Sequence, residues 1–254
     1  MKISIITVVH NNKKTIKDAI NSVLSQNYDN LEYIIIDGAS TDGTVEVINE
    51  TIRVHKKKNI KFISEKDNGV YDAMNKGIDL ASGEIVGILN SDDLYYDEYC
   101  IPIVMNEFKK KIDSIFADLI YVRTNNTDKV VRYYSSAHFS PKKFAFGWMP
   151  AHPTFFVKRN CYEKYGNYKT DYIIAADYEL LIRLLATHNI SYNYIPKVLV
   201  KMRVGGLSTK NFKSNWILNR EIVRSCKENG IKTNLLKVHL KYFTKSLQLI
   251  KRPK

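Results

Sequence analysis

Two hydrophobic periods alternate along residues 3–93. Ile3 to Val9 is a β-rich apolar run without strict alternation, the pattern of a strand buried on both faces of a parallel sheet. Thr15 then offers an N-cap, and Ile16, Ala19, Ile20, Val23 and Leu24 recur at the 3,4 spacing that gives a helix one apolar face. Leu31 to Ile36 reads as a second buried strand that ends at Asp37-Gly38, and Val45, Ile48 and Ile52 mark a second amphipathic helix. Ile60 to Ile63 is a third strand. A helix over Val70 to Ala81 carries Ala73, Met74, Gly77 and Ile78 near one face, and a fourth strand, Glu84 to Leu89, stops at Asn90-Ser91-Asp92-Asp93.

Four strand–helix alternations predict an α/β fold: an open sheet of parallel strands joined by right-handed crossovers, with ligands at the carboxyl ends of the strands. The polar clusters Thr7 to Asn12, Asp37 to Thr44, Glu65 to Gly69 and Asn90 to Asp93 all fall at those ends, so they are expected to converge on one crevice. Beyond Asp93 the runs become short and aromatic-rich, at Ser114 to Val122 and Lys129 to Tyr134. A loop from Phe146 to Pro153, a strand-like Thr154 to Val157 and a helix over Ala176 to Leu184 follow. This half is expected to supply the site of a second substrate.

Composition narrows the class. A chain of 254 residues, 44% hydrophobic and 26% charged, has room for one large domain or two small ones and is neither disordered nor fibrous. Its net charge of +13 points to an anionic partner, and the charge is unevenly placed. Lys210 to Lys254 holds twelve basic residues against Glu221 and Glu228, a net of +10 that leaves +3 for residues 1–209. Three scattered cysteines argue against a disulfide framework or a Cys-based zinc site and fit a reducing cytosol. The first apolar run is too short for a signal peptide, and no run approaches the roughly 18 apolar residues of a membrane span. The expectation is a cytoplasmic protein, free or peripheral at the inner face of the cell membrane.

The Asn90-Ser91-Asp92-Asp93 cluster is the strongest chemical signal. Adjacent acids after a buried strand pack poorly but suit a hard divalent cation, which takes one or two carboxylates plus substrate phosphates. Alone, such a pair reads as a turn or N-cap; its place among the crevice loops favours the metal reading. Asp37 is positioned either to accept hydrogen bonds from a base or ribose or to close an Asx-turn. Neither a Gly-x-x-x-x-Gly-Lys loop nor a Gly-x-Gly-x-x-Gly fingerprint is present, which weakens kinase and dehydrogenase readings.

Five ordered segments together carry a family resemblance: Ser4 to Asn11, Ser22 to Tyr28, Ile36 to Thr44, Asp67 to Ile78 and Leu89 to Asp93. They resemble the successive signatures of family 2 glycosyltransferases with the GT-A fold, closely over residues 3–95 and more loosely over 146–208. The resemblance implies a nucleotide-diphosphate-sugar donor with Thr7 and Asp37 near the base or ribose. It implies Mn²⁺ or Mg²⁺ at Asp92 with Asp93 beside it, because Asn-Ser-Asp matches the family's Asp-x-Asp motif. Asn90 stands where the first aspartate is usual; it retains hydrogen bonding to a ribose but adds no charge.

The resemblance also places the general base of an inverting displacement at Asp177, and His152 in a loop on the acceptor or diphosphate side. Glu179, two residues on and roughly 200° around a helix, is expected to face away. The implied acceptor is a glycan or lipid-linked hydroxyl in surface polysaccharide or glycolipid assembly. A nucleotidyltransferase of similar fold is the first rival, but it calls for a Gly-rich basic triphosphate loop that His10-Asn11-Asn12 does not provide. A non-catalytic basic lipid- or nucleic-acid-binding module is the second, and the joint presence of Asp37, Asp92, Asp93 and Asp177 argues against it and against a nucleic-acid partner. A homo-oligomer is compatible with the sequence.

The expected organisation is a catalytic domain over 1–209, divided into a donor half (1–95) and an acceptor half (96–209), followed by a basic helical tail over 210–254. In that tail Asn234 is placed to cap a helix. Leu236, Leu240, Phe243, Leu247 and Ile250 step along one face while Lys237, Lys241 and Lys245 form another row. Such a helix lies on anionic lipid or packs its stripe on protein, and the sequence leaves both open.

Overall fold

A computed structural model describes residues 1–55, 59–205 and 212–240. One nine-stranded mixed sheet runs through it in the order β3-β2-β1-β4-β8-β6-β9-β5, with β7 paired to β6. The donor half supplies β1 (Ile3–Val9), β2 (Leu31–Asp37), β3 (Asn59–Ser64) and β4 (Ile85–Ile88), all parallel. Every side chain of β1 and β2 is buried, which explains why their sequences show no alternation. Helices α1 (Ile16–Leu24), α2 (Thr44–Arg53) and α3 (Val70–Leu80) make the crossovers, and α3 packs so closely that a Cβ on Gly77 would meet Ile6 Cγ2 at 2.4 Å.

The sheet then changes direction. β8 (Phe156–Lys158) joins β4 antiparallel, β6 (Ser114–Arg123) joins β8 antiparallel, and β9 (Tyr192–Arg203) lies parallel to β6. β5 (Leu94–Tyr95) pairs with β9, and β7 (Asn126–Tyr134) closes a hairpin on β6. Helices α4 (Cys100–Phe108), α5 (Arg159–Tyr165) and α6 (Ala176–Ile182) cover this half. The expected fold class holds, as a mixed sheet with helices on both faces. The segment expected as a strand from Thr154 opens instead in a 3₁₀ turn, His152–Thr154, because the Thr154 hydroxyl is bonded to the Ala117 and Ala151 carbonyls.

The described part of the basic segment joins the body. α7 (Phe212–Glu228) buries Ile222 and Cys226 in the core that also contains α6, and α8 (Leu235–His239) buries Val238 there. Asn234 caps α8 as expected, its side chain accepting from Lys237 N. Leu236 and Leu240 of the expected stripe point outward, at 76% and 46% exposure; Phe243, Leu247 and Ile250 lie outside the described residues. Among the described residues no helix is long and apolar enough to cross a membrane.

Candidate active site

The loops after β1, β2, β3 and β4 meet at the carboxyl edge of the sheet and are tied to one another. Asn11 takes a left-handed conformation (φ 49°), which lets its main-chain N–H donate to Ser40 Oγ at 2.7 Å and its side chain accept from Thr41 N at 2.9 Å. Asn12 Nδ2 donates to Ser91 Oγ at 3.0 Å, and the Thr15 hydroxyl donates to the Ser91 carbonyl at 2.9 Å. Thr15 thus occupies the N-cap position of α1 without capping it; its hydroxyl holds the acidic loop instead. His10 Nδ1 lies 2.9 Å from the Gly38 carbonyl and its Nε2 3.0 Å from Asn11 Nδ2, a pair of contacts met by a neutral imidazole protonated at Nδ1.

Asp37 ends β2 fully buried. Its carboxylate accepts from Ser40 N at 2.9 Å, Ser40 Oγ at 2.5 Å and Ser64 Oγ at 2.7 Å, so it closes an Asx-type turn and also fastens the β2 loop to β3. Thr7 lies beneath the cleft rather than in it. Its side chain is wholly enclosed in the sheet, and the Tyr33 hydroxyl donates to it at 3.0 Å. β1 continues for two residues beyond Thr7, and His10 to Asn12 are the residues that reach the edge.

The acidic cluster after β4 is held from behind by a residue the sequence left out. Arg203, at the end of β9 and almost wholly buried, donates through Nη1 to the Asp92 carbonyl at 2.9 Å and through Nη2 to Asp18 Oδ2 of α1 at 2.6 Å. Asp93 is fully buried, and its Oδ1 has no hydrogen-bond partner among the described residues. Asn90 Nδ2 approaches the other oxygen at 3.4 Å. Burial and the adjacent Asp92 push the Asp93 carboxyl well above the usual range, and burial raises Asp92 as well, partly offset by Arg203 and His152.

An unsatisfied buried carboxylate oxygen beside a second carboxylate is an incomplete, oxygen-only donor set. It fits a hard divalent cation that would be completed by phosphate oxygens. Among the described residues no three acid, His or Cys groups form a full protein cage, so the metal would depend on its substrate for ligands.

Asp177 opens α6 on the opposite wall. One carboxylate oxygen lies 3.2 Å from His152 Nδ1, and the other accepts from Tyr178 N at 2.7 Å. Burial raises its carboxyl, with His152 working in the other direction. His152 lowers both the Asp92 and the Asp177 carboxyl, so it lies within electrostatic reach of both acidic centres and in direct contact with Asp177. Glu179 faces away as expected. It is fully buried, with its carboxylate held by Arg183, Lys169 and Asn229.

The three cysteines are buried, and burial pushes the Cys100 thiol up to about 12, which leaves the carboxylates as the reactive groups of the cleft. Sequence reasoning missed Arg203, Ser91 and Asp67. Asp67 approaches the cleft floor so closely that a Cβ on Gly38 would lie 2.4 Å from its Oδ2. The polar cluster at 65–69 was the available signal for Asp67; nothing in the local sequence around Arg203 marks it.

Comparison with known proteins agrees with this architecture. The chain is 26% identical over 232 residues to a PGL/p-HBAD biosynthesis glycosyltransferase of Mycobacterium bovis, covering 87% of this chain and 82% of that one. It is 36% identical over 143 residues to an uncharacterized glycosyltransferase of Rickettsia conorii, covering 56% of this chain and 23% of that longer protein. Among solved structures it superposes on the mannosyltransferase PcManGT of Pyrobaculum calidifontis, in complex with GDP-Man and Mn²⁺, with a TM-score of 0.69 at 18% identity, covering 95% and 69% of the two chains. It also superposes on S. aureus TarS with a TM-score of 0.68 at 18% identity, covering 91% of this chain but 41% of TarS. The glycosyl transferase family 2 model matches residues 4–171, more than half of the sequence, and the chain belongs to that family.

Proposed function

We propose that this chain transfers a sugar, with inversion, from a nucleotide-diphosphate-sugar to a hydroxyl of a glycan or lipid-linked acceptor. The observation that carries this reading is the 3.2 Å contact of His152 with Asp177, within electrostatic reach of the acids at 92–93, where Asp93 Oδ1 has no partner among the described residues. A donor diphosphate on one side and an attacking hydroxyl on the other need those two sites. The solved neighbours bind UDP, UDP-GlcNAc and GDP-Man, which supports a nucleotide-sugar as donor class.

In this reading Asp177 accepts the proton of the acceptor hydroxyl as the oxygen bonds to the anomeric carbon and the bond to the diphosphate breaks. The Tyr178 N–H and His152 hold its two oxygens in place, and one partner on each oxygen leaves the carboxylate further lone pairs for the incoming proton. Asp92 and Asp93 would hold Mn²⁺ or Mg²⁺, which supplies positive charge against the leaving diphosphate. His10 to Asn12, Asp37 and Asn90 line or brace the donor side. The outward Leu236 and Leu240 beside Lys237, with the basic residues that follow, support docking of this end on an anionic membrane surface where lipid-linked acceptors reside.

A thermal-shift screen of UDP- and GDP-sugars with and without Mn²⁺ tests the donor assignment, since a ligand bound only by the folded chain raises Tm with concentration. No metal-dependent shift with any nucleotide-sugar overturns it. Proton NMR of the anomeric centre in the product distinguishes inversion from retention.

A further inference from the structure

The net charge of the C-terminal segment masks what its acids do. Lys210 to Lys254 contains two acids, Glu221 and Glu228, and both reach back to the irregular segment that leads into α6. Glu221 accepts three main-chain N–H groups: Ile173 at 2.7 Å, Ile174 at 2.9 Å and Ala175 at 2.9 Å. Glu228, two turns further along the same face of α7, accepts from Lys169 Nζ at 2.8 Å and from the Tyr172 hydroxyl at 3.0 Å. Ala175 is the N-cap residue of α6, and Asp177 follows two residues later.

An irregular segment has no ladder to satisfy its N–H groups, so those turned inward need an outside acceptor. Charge-assisted bonds to one carboxylate also fix where that backbone lies. The other side of the same segment is fastened by α3, through the Tyr71 hydroxyl to the Ile174 carbonyl at 2.5 Å and a reciprocal Asn75–Tyr168 pair at 2.8 and 2.9 Å. Residues 168–175 are therefore clamped between the donor half and the C-terminal helix, and Asp177 rides on the end of the clamp.

We infer that Glu221 is a positioning residue for Asp177, and that α7 belongs to the machinery presenting the general base rather than to a detachable basic tail. This rests on the assignment of Asp177 as base. The role is geometric: Glu221 sets the N-cap backbone of α6, which sets the angle at which Asp177 meets His152 at 3.2 Å.

The imidazole signals of His152, followed by nitrogen-15 NMR in the full chain, read that contact without needing an identified acceptor. Asp177→Asn provides the reference for a lost carboxylate, and His152→Asn assigns the signal. Glu221→Ala is expected to shift the His152 signals toward those of the Asp177→Asn protein and to speed amide exchange at 173–175 at least tenfold. Glu221→Gln, which retains one acceptor oxygen, is expected to fall between. Should Glu221→Ala prove unfolded, the Gln variant carries the test alone. His152 signals unchanged from wild type in a folded variant, with exchange at 173–175 accelerated, would make Glu221 a brace without reach to the base and overturn the inference. Failure of the base assignment looks different: Asp177→Asn would keep full sugar transfer while the Glu221 variants still moved His152.

Discussion

His152 Nδ1 and Asp177 Oδ2 lie 3.2 Å apart although they come from a 3₁₀ turn and a helix start separated by two other elements. Burial raises the Asp177 carboxyl and His152 lowers it, so the pair sets the pH at which the carboxylate becomes available. Asp177→Asn is expected to reduce kcat by ~10² to 10⁴ with the fold intact. The acid limb of the wild-type profile is expected above the ordinary aspartate range. His152→Asn removes the lowering influence, so that limb is expected to move to higher pH; a pH–rate profile for each variant checks both shifts.

Arg203 explains why the acidic loop can be held in an unfavourable place. Its two arms join the Asp92 carbonyl to Asp18, and its main-chain N–H supports Asp93. Lysine cannot form both arms at once. Arg203→Lys is expected to weaken Mn²⁺ binding in the presence of nucleotide by ~10- to 100-fold, the usual effect of losing a residue that orients metal ligands. Asp18→Asn is expected to cost far less, because Asp18 is half exposed and its ion pair is screened. Calorimetric titration of both variants ranks them.

How much of this was legible in the sequence depends on where the signals came from. β1, β2 and α1 are each built from contiguous residues whose own periodicity determines their burial, so Ile3–Val9 and Leu31–Asp37 were readable to the residue or nearly so. Loop convergence followed from topology, and Asn11 meets Ser40 while Asn12 meets Ser91 as that rule requires. β9 and α7 were not readable. Residues such as Pro196 and Lys197 interrupt the apolar pattern of β9, and α7 gains its burial from α6 across the chain. Thr7 reads alike in the sequence whether its hydroxyl meets a ligand or Tyr33, and in the structure Tyr33 bonds it. Asp177 was singled out through family likeness, while the bonds of Glu221 to the main chain at 173–175 span 46 to 48 residues and leave no local trace.

Asp93 is fully buried, and its burial costs stability in the metal-free chain. Its carboxyl is raised in the folded chain, so between the ordinary aspartate value and the raised one the native state holds a proton that the unfolded chain has lost. Stability in the metal-free protein therefore falls as pH rises through that window. Asp93→Asn removes this penalty and is expected to raise Tm at neutral pH without metal. With Mn²⁺ and a bound nucleotide the order is expected to reverse, since only the carboxylate repays its burial with a cation. Paired melting curves with and without EDTA provide the check.

Glu32 has the opposite sign at the far end of the sheet. It is buried, which by itself raises its carboxyl. Hydrogen bonds from Ser4, from the Ser82 N–H and hydroxyl, and from Lys61 outweigh that and hold it well below the ordinary range. Its contribution is present above the unfolded glutamate value and is lost as pH falls toward the lowered one. Glu32→Ala would strand those donors and is expected to cost about 3 kcal/mol, with chemical denaturation at pH 7 as the measurement. Donor binding per unit of folded protein should be unchanged, because Glu32 begins β2 and the cleft lies at its other end.

Gly38 offers a separation of fold from function in the other direction. A Cβ there would lie 2.4 Å from Asp67 Oδ2 and 3.4 Å from His10 Nδ1. The closer obstacle is the end of the Asp67 side chain, whose other oxygen accepts from Gly69 N at 2.9 Å, so Gly38→Ala can be relieved by rotating Asp67 away at the cost of that one bond. The fold should lose little, with Tm shifting by no more than a few degrees. The displaced carboxylate has to move within the loops that line the donor side, and the methyl occupies space beside His10. Nucleotide affinity is therefore expected to fall at least tenfold, and a second substitution, Asp67→Ala, should restore part of it by clearing the clash. If Gly38→Ala lowers Tm strongly and leaves affinity per folded molecule unchanged, the Asp37-Gly38 turn serves the sheet rather than the cleft.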